Sequence, residues 1–261
     1  HAVCFAAGLA TKGIIPVVPI YSSFYQRAYD QIIHDVCMQN LGVVMCSDRA
    51  GIVGPDGETH QGILDLSFTN IIPNLTVMSP KDFLELEQML EFAVDLKSPV
   101  FIRYPRGKEE ISYELKNPIE LGKAEILETG EDLTIIAIGK MVARATKIAD
   151  ILKNENTSVE VINARFLKPI DEKTIIESIK KTKNVITIED NIINGGLGSV
   201  VKNLIIDSSL NNIKIKAFGY PDEYIKHGSV DEIEKEYGLD INSIVSYIKE
   251  KNEQTRYSKI L

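Results

Sequence analysis

Residues 17–47 read VVPIYSSFYQRAYDQIIHDVCMQNLGVVMCS and decide the fold class. The short apolar runs Val17–Tyr21 and Val43–Ser47 are typical of buried strands, and the amphipathic stretch Phe24–Gln39 between them is long enough to form a helix. Continuous apolar strands separated by helices are what a parallel sheet covered on both faces requires. This strand–helix–strand unit therefore predicts an α/β protein.

The same alternation continues along the chain. Further strands are predicted at Thr76–Ser79, Val100–Tyr104, Leu133–Ile138, Val159–Asn163, Val185–Glu189 and Ile213–Phe218. Further helices are predicted at Lys81–Lys97, Ala143–Lys153, Asp171–Lys181 and Leu197–Ser208. The pattern pauses only in the polar stretch Gly107–Leu121. We therefore predict two consecutive parallel-sheet α/β domains, residues 1–110 and 122–261, joined by a linker at 111–121.

Composition and charge exclude several classes of protein. The chain has 261 residues, of which 44% are hydrophobic and 25% charged, as in soluble globular proteins. A net charge of −8 without a dense basic block argues against nucleic acid and anionic membrane as partners, and no apolar run approaches the ~20 residues that span a bilayer. The cysteines Cys4, Cys37 and Cys46 lack paired spacing, which favours a reducing compartment, the cytoplasm, over a disulfide framework or a zinc site.

In open α/β sheets, ligands bind beyond the carboxyl ends of the strands. One such segment, residues 48–62, reads DRAGIVGPDGETHQG. Its glycines let backbone N–H groups approach an anion, Arg49 offers a planar fork for phosphate or carboxylate, and His60, near Asp56, is of a type that transfers protons. The alternative is a solvated surface loop with a turn at 54–57.

Two other strand ends carry candidate ligand-binding residues. After the first strand, Phe24 is placed to stack on a flat ring and Arg27 to meet an anion at a helix N-terminus; simple packing of Phe24 is the alternative. After the strand Val100–Tyr104, only one of Arg103 and Arg106 needs to reach a ligand, and Arg106 is the better placed because it lies past the strand. A structural salt bridge is the alternative for this pair.

Two weaker patterns indicate structure and not chemistry. The glycines of GGLGS at 195–199 resemble a phosphate loop but lack the complete fingerprint, so tight helix packing is the simpler interpretation. No trio of Asp, Glu and His has convincing metal-ligand spacing, and no metal site is predicted.

Four segments of the first half together resemble the 1-deoxy-D-xylulose-5-phosphate synthase family. They are HAVCFAAGLA (1–10), PIYSSFYQRAYDQIIHDV (19–36), DRAGIVGPDGETHQG (48–62) and IRYPRG (102–107), collinear across about the first 107 residues. The second half is similar to the family's transketolase-type C-terminal domain in VEVINARFLKPID (159–171), ITIEDNIINGGLGS (186–199) and YPDEYIKHG (220–228). The resemblance implies a transketolase-like pyrimidine-binding domain, truncated at its N-terminus, followed by that C-terminal domain.

The resemblance also implies a reaction. Enzymes of this family use thiamine diphosphate and magnesium to decarboxylate pyruvate, and they transfer the two-carbon unit to D-glyceraldehyde 3-phosphate. The products are 1-deoxy-D-xylulose 5-phosphate and carbon dioxide, and this is the first step of non-mevalonate isoprenoid synthesis. The family further suggests a homodimer whose magnesium and diphosphate sites lie in an upstream domain.

Site residues carry over by position from the family. Phe24 would stack on the aminopyrimidine ring, and Tyr21, Arg49 and Arg106 would hold the acceptor's phosphate. Arg27 would lie near the pyruvate-derived carboxylate. The last two, Asp56 and His60, would contact the acceptor's hydroxyl or aldehyde oxygen, so the catalytic set implied is His60, Asp56 and Arg27.

The chain departs from the family pattern at its start. It opens at His1, in what reads as the later part of a helix, whereas the family has an activating glutamate just before this histidine. We therefore expect a fragment that is inactive alone. One rival is transketolase itself or a beta subunit of a two-oxoacid dehydrogenase, although the loop at 48–62 favours the synthase. The other rival is a non-catalytic α/β subunit that needs a partner chain.

Overall fold

The computed structural model describes residues 1–114 and 117–257 and contains two five-stranded sheets. Positions 115–116 of the predicted linker and 258–261 of the predicted second domain lie outside the described residues. The strands are, in chain order, β1 (Val17–Tyr21), β2 (Val44–Asp48), β3 (Thr76–Met78), β4 (Val100–Tyr104), β5 (Glu125–Glu128), β6 (Leu133–Ala137), β7 (Val159–Asn163), β8 (Phe166–Lys168), β9 (Asn184–Ile192) and β10 (Lys214–Tyr220).

The two sheets have similar designs. The first has the strand order β1-β2-β4-β3-β8 and the second β10-β9-β6-β7-β5. In each sheet four strands are parallel and one edge strand is antiparallel, β8 against β3 and β5 against β7. Pro19 lies in β1, where a missing N–H is tolerated because β1 is an edge strand. The predicted class, two parallel-sheet α/β domains, is confirmed.

Helices cover the sheets. They are α1 (Ala2–Ala10), α2 (Ser22–Tyr25), α3 (Tyr29–Gln31), α4 (Asp65–Asn70), α5 (Phe83–Leu96), α6 (Met141–Lys153), α7 (Glu172–Thr182), α8 (Leu197–Asp207), α9 (Val230–Glu236) and α10 (Ile241–Tyr257). The helices α5, α7 and α9 begin at residues whose side chains cap the helix N-terminus. Asp82, for example, accepts a hydrogen bond from the backbone N–H of Glu85 and starts α5.

The stretch Phe24–Gln39, predicted to form a helix, is helical over most of its length but is not one regular α-helix. A 3-10 turn at Gln26–Ala28 separates α2 from α3, and a π-helical segment, Ile32–Cys37, follows. Ile32, Val36 and Cys37 are all buried. A regular α-helix would turn Cys37 about 120° away from Val36 and Ile32, whereas the wider winding of a π-helix brings all three closer to one face.

One strand crosses between the halves and was not predicted. β8 belongs to the second half by sequence, yet it pairs with β3 at the edge of the first sheet. Its three residues are too few to show a period, which is why the pattern of apolar residues did not reveal it. The largest apolar core likewise draws on both halves: it contains Phe101 as well as Leu167 and Val201.

A buried cluster of charges also joins the halves. Lys81 lies just before α5 and Glu85 in its first turn, and Glu125 and Arg165 come from the second half. The Lys81 Nζ lies 2.8 Å from the Glu125 Oε2, and the Arg165 Nε lies 2.8 Å from the Glu85 Oε1. All four side chains are at most 4% exposed. Two cations and two anions balance, as buried charges must.

Two further features are the character of the helices and the state of the cysteines. Within the described ranges, no helix combines the length and the apolar character that a membrane crossing requires. The cysteines Cys4, Cys37 and Cys46 are all free thiols.

Candidate functional site

The strand register brings the predicted segments to one edge of the first sheet. Tyr21 at the end of β1 is paired with Asp48 at the end of β2, and Asp48 is paired with Tyr104 at the end of β4. Segments 22–27, 49–62 and 105–107 therefore all start from one row of strand ends. This is the position at which α/β sheets bind ligands.

Three rings meet at this edge. The rings of Tyr21 and Phe24 stack with centroids 4.9 Å apart, and the His60 ring stands edge-on to both, at 5.3 Å from Tyr21 and 5.6 Å from Phe24. Phe24 is 50% exposed, whereas the adjacent Tyr25 is fully buried and is the residue of this turn that packs in the core. The packing alternative therefore describes Tyr25 and not Phe24.

Arg49 and Asp56 complete this group around Tyr21. The Arg49 Cζ lies 5.0 Å from the centroid of the Tyr21 ring, and the Tyr21 hydroxyl donates a hydrogen bond of 3.0 Å to the Asp56 Oδ2. Burial, together with this hydrogen bond, raises the pKa of Tyr21 to about 12. The phenol therefore keeps its proton at neutral pH and remains a hydrogen-bond donor.

Arg106 and Arg27 lie at the border of the group. The positive charge of Arg106, like that of Arg49, is close enough to lower the pKa of Tyr21 against the larger effect of burial. The Arg106 side chain is exposed and forms no ion pair with any described residue. Arg27 lines a neighbouring cavity of about 250 Å³ that it shares with Phe24, Ile20 and His1.

The loop from Gly51 to Gly62 is a closed structure and not a loose surface segment. Gly51 and Gly62 exchange two backbone hydrogen bonds of 2.7 Å at its base. Inside it, the Gln61 Oε1 accepts hydrogen bonds from the N–H groups of Val53 and Gly54. The turn that the sequence predicts at 54–57 is present as a short 3-10 helix that ends at Gly57 with φ +82°. The loop thus holds Asp56 and His60 on an ordered frame.

A buried polar cluster, which the sequence did not reveal, joins the ends of the three strands β1, β2 and β4. The Asp65 Oδ2 accepts hydrogen bonds of 3.1 Å from the hydroxyls of both Ser22 and Ser47, and the Asp65 Oδ1 lies 3.0 Å from the Arg103 Nε. Asp65 and Arg103 are 1% and 3% exposed. The salt-bridge alternative therefore holds for Arg103, whereas Arg106 is free to meet a ligand.

The chemistry available at this edge is anion binding beside a histidine and a carboxylate. Arg49 and Arg106 supply forked donors, Tyr21 supplies a hydroxyl, and the exposed Phe24 ring supplies a stacking surface. Among the residues that the structure describes, no group of three or more His, Cys, Asp or Glu side chains is arranged to hold a metal ion.

Family models match both halves of the chain. The model described as "Transketolase, pyrimidine binding domain" matches residues 1–110, and "Transketolase, C-terminal domain" matches residues 122–244. These matches agree with the two-sheet architecture.

Curated relatives are similar over nearly the whole chain. The 1-deoxy-D-xylulose-5-phosphate synthase of Caldanaerobacter subterraneus subsp. tengcongensis is 48% identical over 259 residues, which are 99% of this chain and 42% of that protein. The enzyme of the same name from Natranaerobius thermophilus is 50% identical over 95% of this chain and 40% of its own length. The chain thus spans about two fifths of the length of these relatives.

Solved structures share the fold. A transketolase from Campylobacter jejuni, 18% identical with a TM-score of 0.77, covers 95% of this chain and supports the fold alone. A structure described as "Split gene transketolase, inactive beta4 tetramer" is 30% identical with a TM-score of 0.87, and the match covers 94% of this chain and 79% of that one. The chain therefore belongs to the transketolase family and within it resembles the 1-deoxy-D-xylulose-5-phosphate synthases.

Proposed function

We propose that this chain supplies the acceptor-binding part of a 1-deoxy-D-xylulose-5-phosphate synthase. The complete reaction joins the two-carbon unit of pyruvate to D-glyceraldehyde 3-phosphate and releases the pyruvate carboxyl group as carbon dioxide. In this proposal Tyr21, Arg49 and Arg106 bind the acceptor's phosphate, and Asp56 and His60 contact its hydroxyl and aldehyde oxygens. The names of the relatives support the reaction, and the site geometry supports the roles.

The observation that carries the proposal is the group formed around Tyr21. Its hydroxyl is held by Asp56, its ring is covered by Arg49, and His60 stands against the same ring. A phosphate that takes the one Tyr21 hydroxyl proton, now donated to Asp56, would also meet the guanidinium of Arg49 and the exposed one of Arg106. A dianion needs several charge-assisted donors of this kind. The aldehyde end of a three-carbon acceptor would then lie beside His60.

The residues around Phe24 fit the pyrimidine ring of thiamine diphosphate. The Phe24 ring is half exposed beside a cavity with the apolar walls Ile20 and Val3. When bound, thiamine diphosphate supplies the nucleophilic carbon and the electron sink for decarboxylation. Phe24 would orient it by stacking, and Arg27, in the same cavity, would neutralise the carboxylate of pyruvate. We place the magnesium and diphosphate contacts in a further domain.

The proposal includes the setting of the site. Residues 1–110 would form the pyrimidine-binding domain and residues 122–261 the C-terminal domain, in a cytoplasmic homodimer. The solved split-gene transketolase is itself a tetramer, which supports self-association in this family.

Ligand binding by the chain tests the acceptor site. Calorimetry should show that D-glyceraldehyde 3-phosphate binds more tightly than D-glyceraldehyde, because the arginines recognise the phosphate. Arg49→Ala and Arg106→Ala should each weaken binding at least about tenfold, since a hydrogen bond to a charged group contributes about 1.5–3 kcal/mol and about 1.4 kcal/mol is a factor of ten.

Lys147→Ala is the matched control for these variants. Lys147 is an exposed cation on α6, paired with Glu110, and its loss should leave the affinity unchanged. Equal affinity for the phosphorylated and unphosphorylated aldehydes, or equal weakening by all three substitutions, would contradict the proposed phosphate site.

We further propose that a polypeptide of these 261 residues does not catalyse the synthase reaction by itself. It spans about two fifths of the synthases it resembles, and the solved split-gene relative of similar extent is described as inactive. Carbon dioxide release from pyruvate, dependent on glyceraldehyde 3-phosphate, should be absent from a preparation whose intact mass matches this sequence. Catalytic turnover by that preparation would refute this part of the proposal. On a longer protein, the same assay with ketose donors in place of pyruvate would distinguish a transketolase, which would use them, from a synthase.

A further inference from the structure

The loop that carries Asp56 and His60 rests on a carboxylate of the other half of the molecule. The Ile52 N–H donates a hydrogen bond of 3.2 Å to the Asp190 Oδ1, although the two residues are 138 positions apart. The contact is so close that a Cβ built on Gly51 would lie 1.7 Å from the Asp190 Oδ2. Asp190 is 1% exposed. The buried carboxylate of Asp190 therefore contacts the loop where it begins, at Gly51 and Ile52.

The charge of Asp190 is balanced from its own half. The Lys140 Nζ lies 2.7 Å from the Asp190 Oδ2 and 3.4 Å from the Glu234 Oε1. The Arg144 Nη2 in turn lies 2.7 Å from the Glu234 Oε2. Such a chain of alternating charges compensates the burial of the carboxylate, whose Oδ1 accepts the hydrogen bond from the loop. None of these residues belongs to the group around Tyr21.

The backbone of β9 holds the neighbouring segments as well. The Asp190 carbonyl oxygen accepts a hydrogen bond of 3.0 Å from the Arg103 NH2 group, and the Ile192 N–H donates one of 2.9 Å to the Ile63 oxygen. The end of β9 thus contacts the loop at Ile52, the residue Ile63 that follows the loop, and the strand β4 through Arg103. By contrast, Gln61 bonds mainly within the loop and fixes its shape.

We propose that Asp190 is a positioning residue of the acceptor site: it sets the orientation of the Gly51–Gly62 loop against Tyr21, with Lys140 as its counter-ion. The inference rests on the proposed function for its consequence, since a turned loop would carry Asp56 away from the Tyr21 hydroxyl and His60 away from the aldehyde. The geometry of the loop itself is independent of that function.

Hydrogen exchange and ligand affinity, measured together on the 261-residue chain, test the proposal. Asp190→Ala should speed exchange at least tenfold in peptides covering 50–62 and should weaken glyceraldehyde 3-phosphate binding at least tenfold. Asp190→Asn keeps an oxygen acceptor for the Ile52 N–H and should restore most of the protection and affinity. Gly51→Ala pushes the loop off Asp190 from the other side, so it should reproduce the Asp190→Ala result even if that variant folds poorly.

Two matched controls separate positioning from general stability. Glu160→Ala removes another buried carboxylate of the second half, paired with Lys181, and should lower stability without faster exchange at 50–62. Gly57→Ala also places an alanine at φ +82°, as Gly51→Ala does, but its Cβ would meet only an ordinary contact at 3.6 Å. It should leave exchange near Gly51 unchanged.

The outcomes distinguish the two proposals. Unchanged loop exchange in both Asp190→Ala and Gly51→Ala overturns the positioning role, whatever the chain binds. Faster exchange with unaltered affinity also overturns it, because the loop's orientation would then not matter to the ligand. If the unsubstituted chain binds no glyceraldehyde 3-phosphate, the proposed acceptor site fails, and the exchange data still decide whether Asp190 orients the loop.

Discussion

Two arginines near the end of β4, Arg103 within the strand and Arg106 just past it, have opposite roles. Arg103 points into the protein, where it pairs with Asp65 and is 3% exposed. Arg106 lies three residues on, past Pro105, and is exposed. Since a buried ion must be paired whereas an exposed one need not be, the first stabilises the fold and the second is available to a ligand.

This difference predicts opposite results for the two substitutions. Arg103→Ala should lower the free energy of unfolding by about 3–5 kcal/mol, because it leaves Asp65 buried and unpaired. Arg106→Ala should change it by less than about 0.5 kcal/mol, as surface substitutions do, while weakening phosphate binding. Urea unfolding followed by circular dichroism measures both. Similar losses of stability for the two variants would show that Arg106 is also structural.

The start of α8 shows how a glycine-rich segment can be structural. The Glu189 side chain accepts hydrogen bonds of 2.8 Å from the N–H groups of both Leu197 and Gly198. Gly196 and Gly198 leave the space that this carboxyl needs, since a Cβ on Gly196 would lie 2.0 Å from its Oε2. The helix N-terminus is thus filled by the protein's own acid, and the tight-packing interpretation of these glycines is confirmed.

Burial of Glu189 makes the stability of this element depend on pH. Burial raises the pKa of Glu189 from 4.5 to about 8, although the two N–H donors lower it. The folded state therefore holds a proton that the unfolded state releases. The unfolding free energy contributed by Glu189 is fully present below pH 4.5 and is lost as the pH rises towards 8.

Glu189→Gln should remove this pH dependence. The unfolding free energy of the original chain minus that of the variant should fall as the pH rises through that window, because only the original chain loses stability there. Urea titrations at several pH values measure it, with Glu160→Gln as the control because Glu160 is another buried carboxyl group of the second half and is paired with Lys181. A difference that stays constant across the window would contradict the prediction.

At the scale of the whole molecule, the two halves are interlocked and not simply joined in series. β8 extends the first sheet, one apolar core runs through both halves, and the cluster of Lys81, Glu85, Glu125 and Arg165 seals their contact. Without β8, the β3 strand would expose unpaired backbone groups along its edge.

Residues 1–110 expressed alone should therefore fold poorly. They lack β8 and leave Lys81 and Glu85 without Arg165 and Glu125, so we expect aggregation or a loss of the cooperative thermal transition. Circular dichroism and size-exclusion chromatography of this piece, beside the 261-residue chain, measure the effect. A monomeric 1–110 with an unchanged melting temperature would show that the first half is independent.

Local patterns in the sequence account for much of this molecule. The strands β1 and β4 have the predicted bounds, and the segment 48–62 forms the predicted turn at 54–57 beyond a strand end. Such features depend on neighbouring residues and on a period of apolar side chains, both of which can be read directly. The assignment of Tyr21, Phe24, Arg27, Arg49, Asp56, His60 and Arg106 to a site stays a prediction, although all of them lie at or beside one edge.

The sequence by itself determined the α/β class, the two successive sheets and the segments from which a site is built, because those depend on residues close together along the chain. Tertiary structure alone decided that Arg103 pairs with Asp65, that β8 belongs to the first sheet and that Asp190 supports the loop. Each of these depends on a contact with a partner distant in sequence, 87 positions away for Arg103 and Asp190. No local pattern encodes such a distance, because the free energy of the contact exists only once the two sheets have packed together.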